Sequence, residues 1–217
     1  MKNGELLELE ELAQNRTGLA RQALFDKVSD LAFADGERSP QVQTMLDEIM
    51  SGLIRHVEKE VRATLAQRLS TVTDAPPKLL RFLAEDEVEI ARPILQRSPC
   101  LVERDLLAII AAGQTGHRQA IASREKVPEP VTRALVDCDE LPVMETLLRN
   151  PGADISRTSL RKLTDRSRES ENLSRLLIAR PGLPPELAHR MFWWVSAALR
   201  AQILDFSDID EIRRTAE

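Results

Sequence analysis

Leu147-Leu148-Arg149-Asn150 is two adjacent apolar residues, a spacer and a polar end, and four other stretches of the 217-residue chain share that form. They are Leu65-Ala66-Gln67-Arg68, Ile94-Leu95-Gln96-Arg97, Ile121-Ala122-Ser123-Arg124 and Leu177-Ile178-Ala179-Arg180. From Arg68 to Arg180 the polar ends fall 29, 27, 26 and 30 residues apart. Similarity at a period of roughly 20–50 residues marks a solenoid, whose units are each too small to bury an apolar face without their neighbours. The reading is therefore an all-α chain: an N-terminal helical region over residues 1–70, a stack of short helical repeats over 71–183, and a long closing helix with an acidic tail over 184–217.

Composition agrees. Hydrophobic residues make up 42% and charged residues 30%, enough apolar material for a core. Aromatics are only 3% and Tyr is absent, so aliphatic side chains must do the packing. Leu, Ala and Ile separated by Glu, Arg and Gln favour helices over sheets. The net charge of −5 sits entirely in residues 1–60, which hold 7 Lys/Arg against 12 Asp/Glu; the rest holds 23 of each. A balanced repeat region gives no broad electrostatic footprint for nucleic acid or a membrane surface. Two cysteines, Cys100 and Cys138, are too few for a disulfide framework or a zinc site. Glu5, Glu8, Glu10 and Glu11 interrupt any signal-peptide pattern, and no apolar run is long enough to span a bilayer. The expectation is a cytoplasmic chain.

Along the chain, Leu19, Ala23, Leu24, Val28 and Leu31 recur at helical spacing between Thr17 and Ala34. Ser39-Pro40 offers an N-cap and a proline at the first helical position. A second pattern runs from Val42 to Leu69, about 45 Å at helical rise if unbroken, with Gly52 as a candidate kink. Its apolar positions Met45, Met50, Leu53 and Ile54 spread wider than one stripe, which points to a homodimer through the N-terminal helices or to docking on the first repeat. Shorter helices are expected near 77–84, 87–97, 103–112, 117–124, 129–137, 140–149, 156–164 and 170–179, with a kink at Pro93. At a helix C-terminus the repeated Arg can bond the last carbonyls of its own helix, and Asn150 can do the same from a left-handed C-cap.

Several segments are more specific. Residues 83–99, read Leu-Ala-Glu-Asp-Glu-Val-Glu-Ile-Ala-Arg-Pro-Ile-Leu-Gln-Arg-Ser-Pro, resemble the signature of a bacterial family known as domain of unknown function 2336. So do His117-Arg118-Gln119-Ala120-Ile121-Ala122-Ser123-Arg124, Leu148-Arg149-Asn150-Pro151-Gly152-Ala153 and Trp193-Trp194-Val195-Ser196-Ala197-Ala198-Leu199-Arg200. The resemblance covers residues 17 to 204 and implies a HEAT-like helical fold; it carries no activity to transfer. The unit is also similar to leucine-rich-variant repeats, which follow the apolar pair with Asn-Pro. Asn150-Pro151 matches that and Arg180-Pro181 nearly does, while Arg68 and Arg124 lack the proline.

Candidate sites are few. His56, His117 and His189 show no metal-ligand spacing, and neither Cys has a recognisable base. Gly113-Gln114-Thr115-Gly116 lacks the phosphate-loop spacing and follows a helix, so it reads as a turn. Arg157, Arg161, Lys162, Arg166 and Arg168 are the densest basic stretch and the candidate anion-binding set; residues 149–180 hold 8 Lys/Arg against 4 Asp/Glu. On a continuous closing helix, Ala188, Met191, Phe192, Val195, Leu199 and Ile203 share the packing stripe. Trp193 points the other way with Arg190, Ala197, Arg200 and Leu204, a composition typical of interface hot spots. Either a partner covers Trp193 or the acidic tail does, through Phe206 or Ile209. These residues point to a non-enzymatic protein-interaction module, regulatory or scaffolding, with no cofactor. The alternative is a nucleic-acid-binding solenoid using the basic 149–180 stretch.

Overall fold

The computed structural model describes residues 40–204 together with Ala23, Phe25 and Lys27. The rest of the helix expected over Thr17–Ala34, Ser39 and the acidic tail lie outside the described residues. The described residues are helical apart from turns and one isolated parallel bridge, Val127 with Ala153. In chain order the helices are α1 Pro40–Leu53, α2 Lys59–Leu69, α3 Pro77–Ala84, α4 Val88–Arg97, α5 Glu103–Ala112 and α6 Thr115–Ala122. They continue with α7 Glu129–Asp137, α8 Leu141–Arg149, α9 Arg157–Arg166, α10 Glu171–Ile178 and α11 Pro185–Met191, and residues 197–204 form α12.

The chain divides into two compact units, Met1–Asp105 and Leu106–Glu217. Within the first, α1 packs on α3 and α2 on α4. Within the second, α6, α8 and α10 pack successively on one another, as do α7, α9 and α11. Every apolar pair of the repeated pattern is buried: Leu65 and Ala66, Ile94 and Leu95, Ile121 and Ala122, Leu147 and Leu148, Leu177 and Ile178. The expected short helices form within two residues of their expected bounds, and α4 continues through Pro93.

Three expectations are corrected. The helix expected from Val42 to Leu69 is broken: a 3-10 turn at Ile54–His56 leads to extended backbone at Val57 (φ −95°, ψ 143°). On either side of the break the two helices pack on different neighbours, α1 on α3 and α2 on α4. The Val57 carbonyl at the break is satisfied locally, since Arg62 Nη1 donates to it at 2.9 Å.

The long closing helix is also broken. The chain leaves the helix after Met191 and re-enters it at Ala197. The bend buries Met191, Val195, Leu199 and Ile203 together. It also turns the Trp194 indole N–H toward Ser167 Oγ at 3.4 Å and sets the ring 4.6 Å from the Arg168 guanidinium carbon.

The third correction concerns three of the polar ends, Asn150, Arg180 and Arg97, which reach back to the previous repeat rather than to their own helix. Asn150 is not left-handed (φ −88°, ψ 110°). Its Nδ2 donates to Ala122 O at 2.8 Å and Arg124 O at 2.7 Å, while Gly152 N–H donates to its Oδ1. Arg180 Nη1 donates to Leu148 O and Asn150 O, both at 3.0 Å, and its Nη2 to Ala153 O at 2.7 Å. Arg97 donates to Gln67 Oε1 at 2.9 Å. A helix end leaves carbonyls without intrahelical partners, and here the next repeat supplies the donors. Burial pushes the Arg180 and Arg124 guanidinium groups below their ordinary pKa.

The Asn150-Pro151-Gly152 turn is held close to its neighbour as well. Val127 N–H donates to Gly152 O and Asp154 N–H to Val127 O. A Cβ at Gly152 would lie 1.8 Å from Glu125 O, so only glycine fits.

Candidate functional site

The bend after α11 places the candidate residues. Trp193 is 81% exposed and Leu204 54%, two of the largest exposed apolar side chains among the described residues. Trp193 meets Phe192 edge-on at 6.1 Å between ring centroids. Arg200 lies over the same Phe192 ring at 5.4 Å and donates from Nε to Phe192 O at 3.0 Å. Leu204 follows Arg200 by one helical turn. Trp193 and Arg200 therefore flank Phe192, and Leu204 is exposed a turn beyond Arg200, so the three lie on the bend and α12 rather than on one continuous helix. Ala197 is exposed at the start of α12. Arg190 pairs with Asp165 at 2.7 Å. The tail-cover possibility through Phe206 or Ile209 falls outside the described residues.

The basic stretch is laid out differently. Arg157 pairs with Glu186 and Lys162 with Asp137; Arg166 pairs with both Asp139 and Glu169; Arg168 stacks on Trp194. Arg161 is exposed. These pairs join α9 to neighbouring elements, so charges that look like one basic run are spent mostly in links between repeats. Exposed pairs of this kind contribute little to stability because solvent screens them.

His117 and the two cysteines are hydrogen-bonded within the fold. His117, buried at the third position of α6, accepts Gln114 N–H on Nδ1 while Gln114 returns the bond, a reciprocal capping box. The Cys138 thiol donates to Ala134 O, and burial is the main reason its pKa is raised. That is the opposite of the activation a nucleophilic thiol needs. The Cys100 thiol donates to Val72 O. Among the described residues no group of three His, Cys, Asp or Glu is placed to hold a metal ion, and no helix is long and apolar enough to cross a membrane.

Sequence reasoning missed three polar links. Asp47, buried on α1, accepts Lys78 N–H and Leu79 N–H, both at 3.0 Å. Arg62 pairs with Asp86 at 2.7 Å. Arg118 pairs with Glu140, and its Nε donates to Ile110 O at 2.8 Å. Only the last left a readable signal, because Arg118 and Arg200 occupy the same place in helices of similar pattern.

No curated protein and no solved structure matches the chain. Residues 90–216 match the family described as an uncharacterised protein conserved in bacteria, DUF2336. That span takes in the repeats from α4 onward, the Asn150 and Arg180 links and the Trp193 surface, and over more than half its length the chain belongs to the DUF2336 family.

Proposed function

We propose that this chain is a non-enzymatic protein-interaction module, regulatory or scaffolding, built as a HEAT-like α-solenoid and working in the cytoplasm. The observation that carries the reading is the exposed surface of Trp193, Arg200 and Leu204. Trp and Arg around an apolar centre are the residues that dominate binding energy at protein interfaces. Stacked helices of the kind seen within each unit present extended surfaces suited to protein partners. The histidine and cysteines described above serve capping and packing, which favours binding over catalysis.

The nucleic-acid alternative is less well supported, because the basic stretch is largely engaged by Glu186, Asp137, Asp139 and Glu169. Self-association through α1 draws support from Met45 and Ile49, 62% and 37% exposed one turn apart.

The test is affinity capture from the native host with the wild-type chain and with Trp193→Ala, followed by reconstitution with the purified partner. The reading predicts a stoichiometric partner lost on Trp193→Ala while the urea midpoint stays unchanged. A partner retained by the variant, or salt-dependent DNA binding in its place, would contradict it.

A further inference from the structure

Helices α4, α8 and α10 each bury two adjacent stripes. In α4 these are Ile90 and Ile94 beside Ala91 and Leu95; in α8, Val143 and Leu147 beside Met144 and Leu148; in α10, Leu173 and Leu177 beside Ser174 and Ile178. Helix α12 repeats the register with Leu199 and Ile203 beside Arg200 and Leu204. Its first stripe is buried, at 6% and 0% exposure, but the second is open. The side that α4, α8 and α10 keep covered is presented to the outside on α12.

Helix α6 shows what covers such a side when an Arg stands in it. Its register is His117 and Ile121 beside Arg118 and Ala122, so Arg118 corresponds to Arg200. The correspondence extends to geometry: Arg118 Nε donates to the carbonyl eight residues back, Ile110 O, and Arg200 Nε donates to the carbonyl eight residues back, Phe192 O. Arg118 then extends Nη1 to Glu140, the N-cap residue of α8, whose Val143, Met144, Leu147 and Leu148 are all buried. A carboxylate at a helix start complements both the Arg and the helix dipole. Among the described residues, the interactions of the Arg200 side chain are its bond to Phe192 O and its stacking on the Phe192 ring.

We infer that α12 docks the N-terminal end of an amphipathic helix of another protein, with a carboxylate at that end on Arg200 and apolar residues against Leu204 and Trp193. This deepens the interaction-module reading and rests on it. The occupant is specified by the way α8 sits on α6: an acidic N-cap residue followed by two adjacent apolar stripes.

The probe is this chain's own residues 139–150, N-acetylated. A hydrocarbon staple between positions 142 and 146 keeps so short a segment helical. It is titrated into the full chain while the emission of Trp193 and Trp194, the two tryptophans, is followed. The expected result is saturable binding. Glu140→Gln in the peptide or Arg200→Gln in the protein should weaken it about tenfold or more, as loss of a charge-assisted hydrogen bond does. The two together should be no weaker than either alone. Leu204→Glu should abolish binding with the urea midpoint unchanged. Absence of a saturable signal, equal affinity of both peptides, or losses that multiply would overturn the inference. The capture experiment with Trp193→Ala is scored separately: partner loss there, with peptide binding indifferent to Arg200, removes the acidic-helix assignment and leaves the interaction reading standing.

Discussion

The Asp47 and Asp86 carboxylates of the first unit and the Asn150, Arg180 and Arg118 donors of the second tie helices together at opposite ends. In the first, carboxylates serve helix starts. Pro76 precedes α3 and offers no side-chain acceptor, so Asp47 on α1 takes the N–H groups of Lys78 and Leu79. Asp86 likewise accepts the N–H of Glu87 at the start of α4 while pairing with Arg62. In the second unit, cationic and amide groups serve helix ends. Asn150 binds the carbonyls left by α6, Arg180 those left by α8, and Arg118 that of Ile110 near the end of α5. Each choice matches the polarity of the helix terminus it meets. The comparison teaches that a short helix, too brief to be stable alone, can have its orphan backbone groups completed by a neighbouring element at either end.

The largest expected effect lies beneath both devices. Ile94→Ala in the first unit and Ile121→Ala in the second, each fully buried, should each cost about 2–5 kcal/mol through lost burial and a residual cavity. Urea midpoints measured against a change at the exposed Glu125, Glu125→Gln, check this. A unit whose midpoint does not move is not held by its apolar pair.

Next come the helix-end links of the second unit. Asn150→Asp keeps the shape and the bond from Gly152 N–H but removes both donors and sets a carboxylate against the Ala122 and Arg124 carbonyls. A loss of about 1–3 kcal/mol is expected, since buried acceptors go unsatisfied. If Asn150→Asp matched wild type, the link would be incidental. Smaller again is the helix-start device: Asp47→Ala should cost about 0.5–2 kcal/mol, the range of a lost N-cap. Hydrogen exchange should localise the change to the first turn of α3, at Lys78 and Leu79. Protection unchanged at those amides would end the contrast between the units.

Much of this organisation was legible in sequence. The apolar pairs and Pro/Gly turns fixed the short helices closely because burial and turn chemistry are local consequences of residue type. The direction of Asn150 and Arg180 was not legible. A polar residue after an apolar pair can turn to its own carbonyls or to those of the previous repeat, and the spacing of the neighbouring helix, not its sequence, decides. The break between α11 and α12 escaped for a related reason: Met191, Val195, Leu199 and Ile203 recur at four-residue steps on a continuous helix and on a bent one alike. Trp193, Arg200 and Leu204 were picked out as a surface by that imperfect helical projection. The bend sets Trp193 and Arg200 against Phe192 instead of along one helix face, with Leu204 a turn beyond Arg200 on α12.

The account turns on α12 carrying an interior register with one side left open, and a matched pair of substitutions reads that directly. Leu148 and Leu204 occupy the same place in α8 and α12, at 5% and 54% exposure. Measured by urea unfolding of the full chain, Leu148→Ala should cost about 2–5 kcal/mol, whereas Leu204→Ala should stay within about 0.5 kcal/mol of wild type. Equal costs for the two would contradict the account, because Leu204 would then already be covered within the folded chain.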